Sequence, residues 1–231
     1  MKPETRSTEK SHILYEGALL DHVDDALFAP GHLAGIAAAG RGTTWFFARG
    51  ERQLVLRHYR RGGLPARIFA DRYVWTGLSR SRPWREWHLL ATLHARGLPV
   101  PRPVAARVVR HGIFYRGDLI TERLPAEPLS AWLHKGTLPA GRWHAIGVCI
   151  RRFHAAGAFH ADLNAHNILL ADDGAVFVID FDRGELRTPG GWRDANLRRL
   201  ERSLCKLRGK YPDFGFTSED WQSLLVGYAG G

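Results

Sequence analysis

Sulfur is scarce in this sequence: 231 residues contain two cysteines and one methionine. Cys149 and Cys205 fall in helix-like segments 56 positions apart. That rules out a disulfide-dense secreted scaffold and points to a reduced, cytoplasmic protein. Long apolar runs are lacking as well. None approaches the roughly 18 residues that a membrane-spanning helix requires. The start, Met1-Lys-Pro-Glu-Thr-Arg, has charges with no apolar stretch behind them, so no secretory signal is read there. No cysteine–histidine spacing suits structural zinc. Acidic residues are also short, with 23 against 33 basic ones and a formal charge of +10. The deficit leaves several anionic partners open: nucleic acid, an anionic lipid surface, or a polyanionic small substrate. A compositional bias toward arginine gives the same number, so charge alone does not choose.

Apolar residues are plentiful. At 45% of the chain, with eight Trp and eleven Phe, they exclude a disordered protein and can fill a sizeable core. The simplest organisation is a single domain, 1–231, of two lobes, 12–124 and 125–231. Residues 1–11 read as a frayed polar tail and His12–Tyr15 as an edge strand. Strands are predicted near 44–47, 54–59, 105–110 and 114–122, and a helix begins at Pro83 and stops near Gly97. Helices are predicted over 129–134, 143–157, 192–209 and 218–228. The second of these carries Trp143, Ile146, Ile150, Phe153 and His154 at helical spacing, a buried stripe. Residues 60–81 read as a packed connection.

The densest chemistry lies between His160 and Asp182. Asn167 stands five residues after Asp162, and Asp180 thirteen after Asn167. Ile168–Leu170 and Ala175–Ile179 read as two short strands joined by Asp172-Asp173-Gly174, a tight-turn sequence. Such a hairpin returns Asp180 to the neighbourhood of Asn167. A carboxylate and an amide oxygen then converge as hard ligands for Mg²⁺, with Asp162 beside them to orient a hydroxyl. Phosphoryl transfer needs that set. His160 reads as a brace for the loop rather than a base.

His-x-Asp-x-x-x-x-Asn followed by Ile-Asp-Phe resembles the catalytic loop and metal-binding segment of the protein-kinase-like superfamily. Ala161 stands where Arg is usual, and Asp182 where Gly is usual. His160-Ala-Asp-Leu-Asn-Ala-His-Asn167 with Asp180-Phe-Asp-Arg183 resembles a narrower family, the 3-deoxy-D-manno-octulosonic acid (Kdo) kinases of lipopolysaccharide synthesis, related to the heptose kinases of the same inner core. The resemblance implies an α+β, bilobal kinase-like fold, with an antiparallel N-lobe carrying one main helix and a compact helical C-lobe. It implies ATP and Mg²⁺ as cofactors, with Asp162 catalytic and Asn167 and Asp180 on the metal. The turn around Gly40, Gly42 and Thr43 then covers phosphates, Arg57 in Leu-Arg-His-Tyr replaces the usual Lys, and Glu86 pairs with it. Glu122 and Leu124 flank the backbone offered to adenine. Read without the resemblance, a glycine turn is a turn, Arg57 an outward-facing strand residue, and Glu86 a first-turn acid favoured by the helix dipole.

After Asp180 the chain has no room for the activation segment and peptide-holding helices of a protein kinase, which argues for a non-protein acceptor. The implied acceptor is Kdo on lipid A precursor, phosphorylated at its 4-hydroxyl, at the cytoplasmic face of the inner membrane. Arg183, Arg187, Arg193, Arg198 and Arg199 are available for its anionic groups. Neither a nucleic-acid nor a protein partner is inferred. The alternatives are a heptose or other small-molecule kinase, and a basic nucleic-acid-binding module. A non-haem iron site using His160 and Asp162 lacks the many strands it needs. A glycosyltransferase Asp180-x-Asp182 leaves Asp162 and Asn167 without a role.

Overall fold

The computed structural model describes residues 1–29, 43–60 and 71–230, together with the backbone but not the side chain of Thr43. Gly40 and Gly42 therefore lie outside the described residues. The chain divides into two compact units, Met1–Ala95 with Pro101–Leu124, and Arg96–Val100 with Pro125–Gly231.

The first unit is built on one antiparallel sheet. Its strands are β1 (Pro3–Ser7), β2 (Ser11–Glu16), β3 (Thr43–Arg49), β4 (Arg52–His58), β5 (Tyr73–Val74), β6 (Pro103–His111) and β7 (Phe114–Glu122), in the order β1-β2-β6-β7-β4-β3 with β5 on β7. The polar tail read at 1–11 is corrected, and so is the edge strand read at His12–Tyr15: Pro3–Ser7 pairs residue for residue with Glu16 back to His12 on β2, which makes β1 the edge and β2 an inner strand. Its side chains are mostly exposed, so a strand held only through its backbone leaves no hydrophobic alternation to read. Leu54 and Leu56 face one side of β4, where Ile13, Leu20, Val23, Phe28, Phe47, Val104 and Ile120 close a core. Alternation sends Arg57 to the other side. There helix α1 (Arg82–Ala95) packs on β6 and β7. Pro83 sits in its first turn, and Gly97, at φ +69, follows its end.

The second unit holds four helices: α2 (Leu129–Lys135), α3 (Ala140–Ala155), α4 (Trp192–Lys210) and α5 (Ser218–Ala229). Its strands are short: β8 (Glu127–Pro128), β9 (Ala158–Phe159), β10 (Ile168–Leu170), β11 (Val176–Val178) and β12 (Glu185–Leu186). The apolar stripe of α3 is buried as its spacing predicts, from Trp143 through His154. α5 packs closely against it because both helices present glycine. A Cβ on Gly147 would lie 2.0 Å from the Leu224 carbonyl oxygen, and one on Gly227 2.1 Å from that of His144. α5 starts with a capping box, Thr217 and Asp220 exchanging hydrogen bonds, and ends at Gly230 in the left-handed region. The predicted hairpin forms with Ile168 opposite Val178 and Leu170 opposite Val176. Gly174, at φ +97, closes its turn, and Arg142 of α3 donates to the Ala171 and Asp172 carbonyls, fixing that turn to the helix.

Candidate active site

In the first unit, the strand–helix packing brings one cation and one acid together. Arg57 of β4 and Glu86 of α1 form an ion pair, and the Tyr59 hydroxyl donates to the same carboxylate oxygen. Glu86 is 3% exposed, so its charge survives burial only because it is paired and hydrogen-bonded. Arg57 also donates to the Tyr59 hydroxyl at 3.2 Å, and its guanidinium carbon lies 4.9 Å from the Tyr59 ring centre. Arg82, over the rings of Tyr59 and Tyr73, adds a second cation to the cluster. Thr43 opens β3 opposite His58. Further along, the Glu122 amide donates to the Arg102 carbonyl and its side chain meets Arg52 at 2.7 Å. The Arg123 amide donates to the Gln53 carbonyl, and half-buried Leu124 is the last residue of the unit.

In the second unit, the loop from His160 to Asn167 is pinned by bonds between its own side chains and main-chain groups. The Asp162 amide donates to His160 Nδ1 at 3.1 Å, and His160 Nε2 meets the Ile179 carbonyl at 2.9 Å. Those partners require a neutral ring with its proton on Nε2. Burial supports that state by pulling the His160 pKa down. The Asp162 carbonyl accepts from Asn164 Nδ2 and Asn167 Nδ2, both at 3.0 Å. With donor and acceptor both engaged, the Asp162 carboxylate leaves the loop in a set direction. It is about half exposed and takes one bond at 2.9 Å from Arg199 of α4.

The hairpin completes the set. Directly beyond its ladder, the Ile179 amide donates to the Asn167 carbonyl at 2.9 Å, which places Asp180 next in line to Asn167. Asn167 spends its Nδ2 on Asp162, so its Oδ1 is the end left to accept. Asp180 adopts φ +63, a conformation that non-glycine residues rarely take and that costs about 1–3 kcal/mol. It is held there from both sides, by the Ile179 amide before it and by Phe181 after it. Phe181 is 1% exposed and packs on Phe153 and His160. A carboxylate oxygen and an amide oxygen at adjoining backbone positions suit Mg²⁺, which takes few protein oxygens when phosphates supply the rest.

The predicted residues thus fall into two groups by unit. Arg57 and Glu86 meet in the first, where Glu122 and Leu124 lie at the end of β7. In the second, Asn167 bonds to Asp162, and Asp180 follows Ile179, whose amide bonds to Asn167. Three contributors escaped the sequence reading. Tyr59 carries a signal, since it shares a strand face with Arg57. Asn196, buried at 3%, caps both polar groups of the His160 backbone: its Oδ1 accepts from the amide at 3.3 Å and its Nδ2 donates to the carbonyl at 2.8 Å. Its signal is a lone amide among Leu197, Leu200 and Leu204 on the buried face of α4. Ser203 accepts from the Ala165 amide at 3.3 Å and carries no such signal. Of the arginines read as acceptor contacts, Arg187 is paired with Glu185 and stacked 3.5 Å from the Phe159 ring centre, and Arg193 donates to the His154 carbonyl.

Comparison with known proteins agrees with this chemistry. The model of the lipopolysaccharide kinase (Kdo/WaaP) family matches residues 36–228. A 3-deoxy-D-manno-octulosonic acid kinase of Xylella fastidiosa is 43% identical over 215 residues, 91% of this chain and 86% of the relative. Those of Photobacterium profundum and Xanthomonas axonopodis pv. citri are 45% and 47% identical, over 83% and 85% of this chain and 81% of each relative. A solved structure described as WaaP in complex with acyl carrier protein aligns with a TM-score of 0.60 at 20% identity, covering 95% of this chain and 89% of that one. At that identity the likeness establishes the fold, the kinase-like α+β class that the sequence implied.

Proposed function

The chain belongs to the lipopolysaccharide kinase (Kdo/WaaP) family, a family of ATP-dependent phosphotransferases, and we propose that it phosphorylates the 4-hydroxyl of Kdo attached to lipid A precursor. The observation that carries this reading is the backbone-pinned constellation of Asp162, Asn167 and Asp180 in a chain that is 43–47% identical to Kdo kinases. Asn167 and Asp180 hold Mg²⁺, which when bound neutralises charge on the transferred phosphoryl group. Asp162 orients the acceptor hydroxyl for in-line attack and receives its proton as the new bond to the γ-phosphorus forms and the bond from that phosphorus to the bridging oxygen breaks, ADP leaving with the electron pair. Arg57 binds the non-transferred phosphates of ATP, and Glu86 with Tyr59 fixes the guanidinium for that contact. A guanidinium with a fixed fork suits phosphate as well as the ammonium usual in kinases does, with a different geometry. Gly40, Gly42 and Thr43 are assigned to the phosphates on sequence grounds alone, the two glycines lying outside the described residues, and the backbone near Glu122 and Leu124 receives adenine. The Glu122 and Arg123 amides are engaged by the Arg102 and Gln53 carbonyls, so the contact falls to the carbonyls and to the groups that follow. Most of the rate comes from positioning and charge neutralisation.

Peripheral attachment to the cytoplasmic face of the inner membrane follows from a lipid-linked acceptor and a +10 chain. Among the described residues, no helix is long and apolar enough to cross a membrane. Mass-spectrometric assay with ATP, Mg²⁺ and Kdo–lipid A precursor tests the reading. The expected result is one added phosphate, assigned to the 4-hydroxyl by fragmentation and reduced about 10²–10⁴-fold by Asp162→Ala. Transfer to a heptosylated acceptor alone would move the substrate, and no transfer to any sugar would overturn the assignment.

A further inference from the structure

One face of α4 touches the loop around Asp162 three times. Asn196, Arg199 and Ser203, three and four positions apart, fall on that face and reach His160, Asp162 and Ala165 respectively. The outer two contacts are main-chain anchors. Asn196 satisfies both backbone groups of His160, and Ser203 accepts the Ala165 amide. Arg199 differs in kind, because its partner is the Asp162 carboxylate itself, 2.9 Å away. The side chains are 46% and 53% exposed. An ion pair that open contributes little to stability, and the loop has its anchors without it. What the position does provide is a guanidinium with donors to spare beside the group that orients the acceptor hydroxyl.

Resting on the reading above, the acceptor's own chemistry supplies a use for those donors. In a 3-deoxy-octulosonic acid, carbon 2 bears the carboxylate and carbon 4 the hydroxyl, with a single methylene between them. Seating that hydroxyl on Asp162 brings a second carboxylate close to the first. Without a cation the two repel each other. An arginine fork matches a carboxylate with paired hydrogen bonds. We propose that Arg199 is a specificity-determining residue, which binds the acceptor's carboxylate while its remaining bond keeps Asp162 in place. A neutral sugar gains nothing from that contact, so the residue selects acidic acceptors. Arg187 and Arg193, committed to Glu185 and to the His154 carbonyl, do not compete for the role.

The test compares two acceptors in detergent micelles: Kdo–lipid A precursor, and the same lipid with its Kdo carboxyl amidated by carbodiimide coupling to methylamine. Wild type should lose about 10–100-fold in kcat/KM on the amide, the scale of a charge-assisted hydrogen bond. Arg199→Gln should lose a similar factor on the acid and discriminate no further between the two lipids. Arg199→Lys should restore part of the discrimination, which keeps the test informative if the glutamine variant folds poorly. Equal losses on both lipids in both variants would reduce Arg199 to a brace for Asp162 and overturn the proposal. So would undiminished discrimination in Arg199→Gln. Failure of wild type to phosphorylate the acid at all would instead remove the Kdo reading, and this inference with it.

Discussion

The Arg57–Glu86 cluster and the His160–Asp180 loop both carry charged groups that the proposed phosphoryl transfer would use, but they are held by different means. Arg57, Tyr59 and Glu86 meet through side chains presented by β4, the residue that follows it and α1, so the cation is positioned by side-chain contacts such as the ion pair and the Tyr59 hydroxyl. Asp162, Asn167 and Asp180 hang from bonds that each engage a main-chain group: the His160 ring with the Ile179 carbonyl and the Asp162 amide, the Asn167 side chain with the Asp162 carbonyl, and the Ile179 amide with the Asn167 carbonyl. A side-chain cluster can exchange members of similar charge and reach, and Arg57 in the place of the usual Lys is such an exchange. A lattice in which side chains hold main-chain groups exchanges members less readily, since each bond fixes the direction of the next residue. Ala161 and Asp182 depart from the pattern in the second unit, but Asp162, Asn167 and Asp180 keep it, whereas in the first unit the cation itself has changed. Of the two, the second is the strict region and the first the loose one.

The largest effect should come from the strict region. Asp180→Asn and Asn167→Ala are expected to lower kcat about a thousandfold and to raise the Mg²⁺ concentration needed for half-maximal rate. A metal titration that matched wild type would remove both residues from the metal. Next comes the anchor rather than the chemistry. Asn196→Ala leaves the buried amide and carbonyl of His160 unpaired, a cost of about 1–3 kcal/mol each. The melting temperature should fall, and kcat should fall with little change in KM for ATP. Asn196→Asp keeps the acceptor, loses the donor, and should land between. The loose region should respond least in rate. Arg57→Lys keeps the charge and loses the fork, so KM for ATP should rise by less than about tenfold at nearly constant kcat. A thousandfold loss there would mean that the two regions are equally strict, and the contrast would fail.

The same contrast decides what could be read from sequence. The loop and hairpin were legible because their constraints are local. The spacing from Asp162 to Asn167 and the turn at Asp172–Gly174 are written in consecutive residues, and helix periodicity gave the stripe of α3. The pairing of Arg57 with Glu86 needed the resemblance, since nothing local in β4 or α1 names a partner. Residues 3–7 were missed because β1 is held by backbone bonds between mostly exposed side chains. Asn196 and Ser203 were missed for a similar reason: their partners are main-chain groups more than thirty residues away. A buried asparagine in a leucine stripe is the one such signal a second reading would catch.

The smallest effect separates the units by pH. His154 lies at the end of α3, 3% exposed, with its Nδ1 2.7 Å from the Tyr228 hydroxyl of α5 and its ring edge-on to Trp192. Burial lowers its pKa from 6.5 to about 4. Between those values the unfolded chain binds a proton at this site and the folded chain does not, so stability rises with pH across that window. The contribution of the neutral, packed ring is complete above pH 6.5 and is lost as pH falls toward about 4. Wild type should therefore melt lower at pH 5 than at pH 7. His154→Gln, which cannot titrate, should show a shallower drop rather than none, because buried His160 shifts in the same direction and remains. His88 on α1 is exposed, and partial desolvation lowers its pKa as well, so the first unit should contribute a weaker slope. An identical pH slope in His154→Gln and wild type would show that the ring is charged in the fold or that α3 and α5 part before the rest of the unit melts.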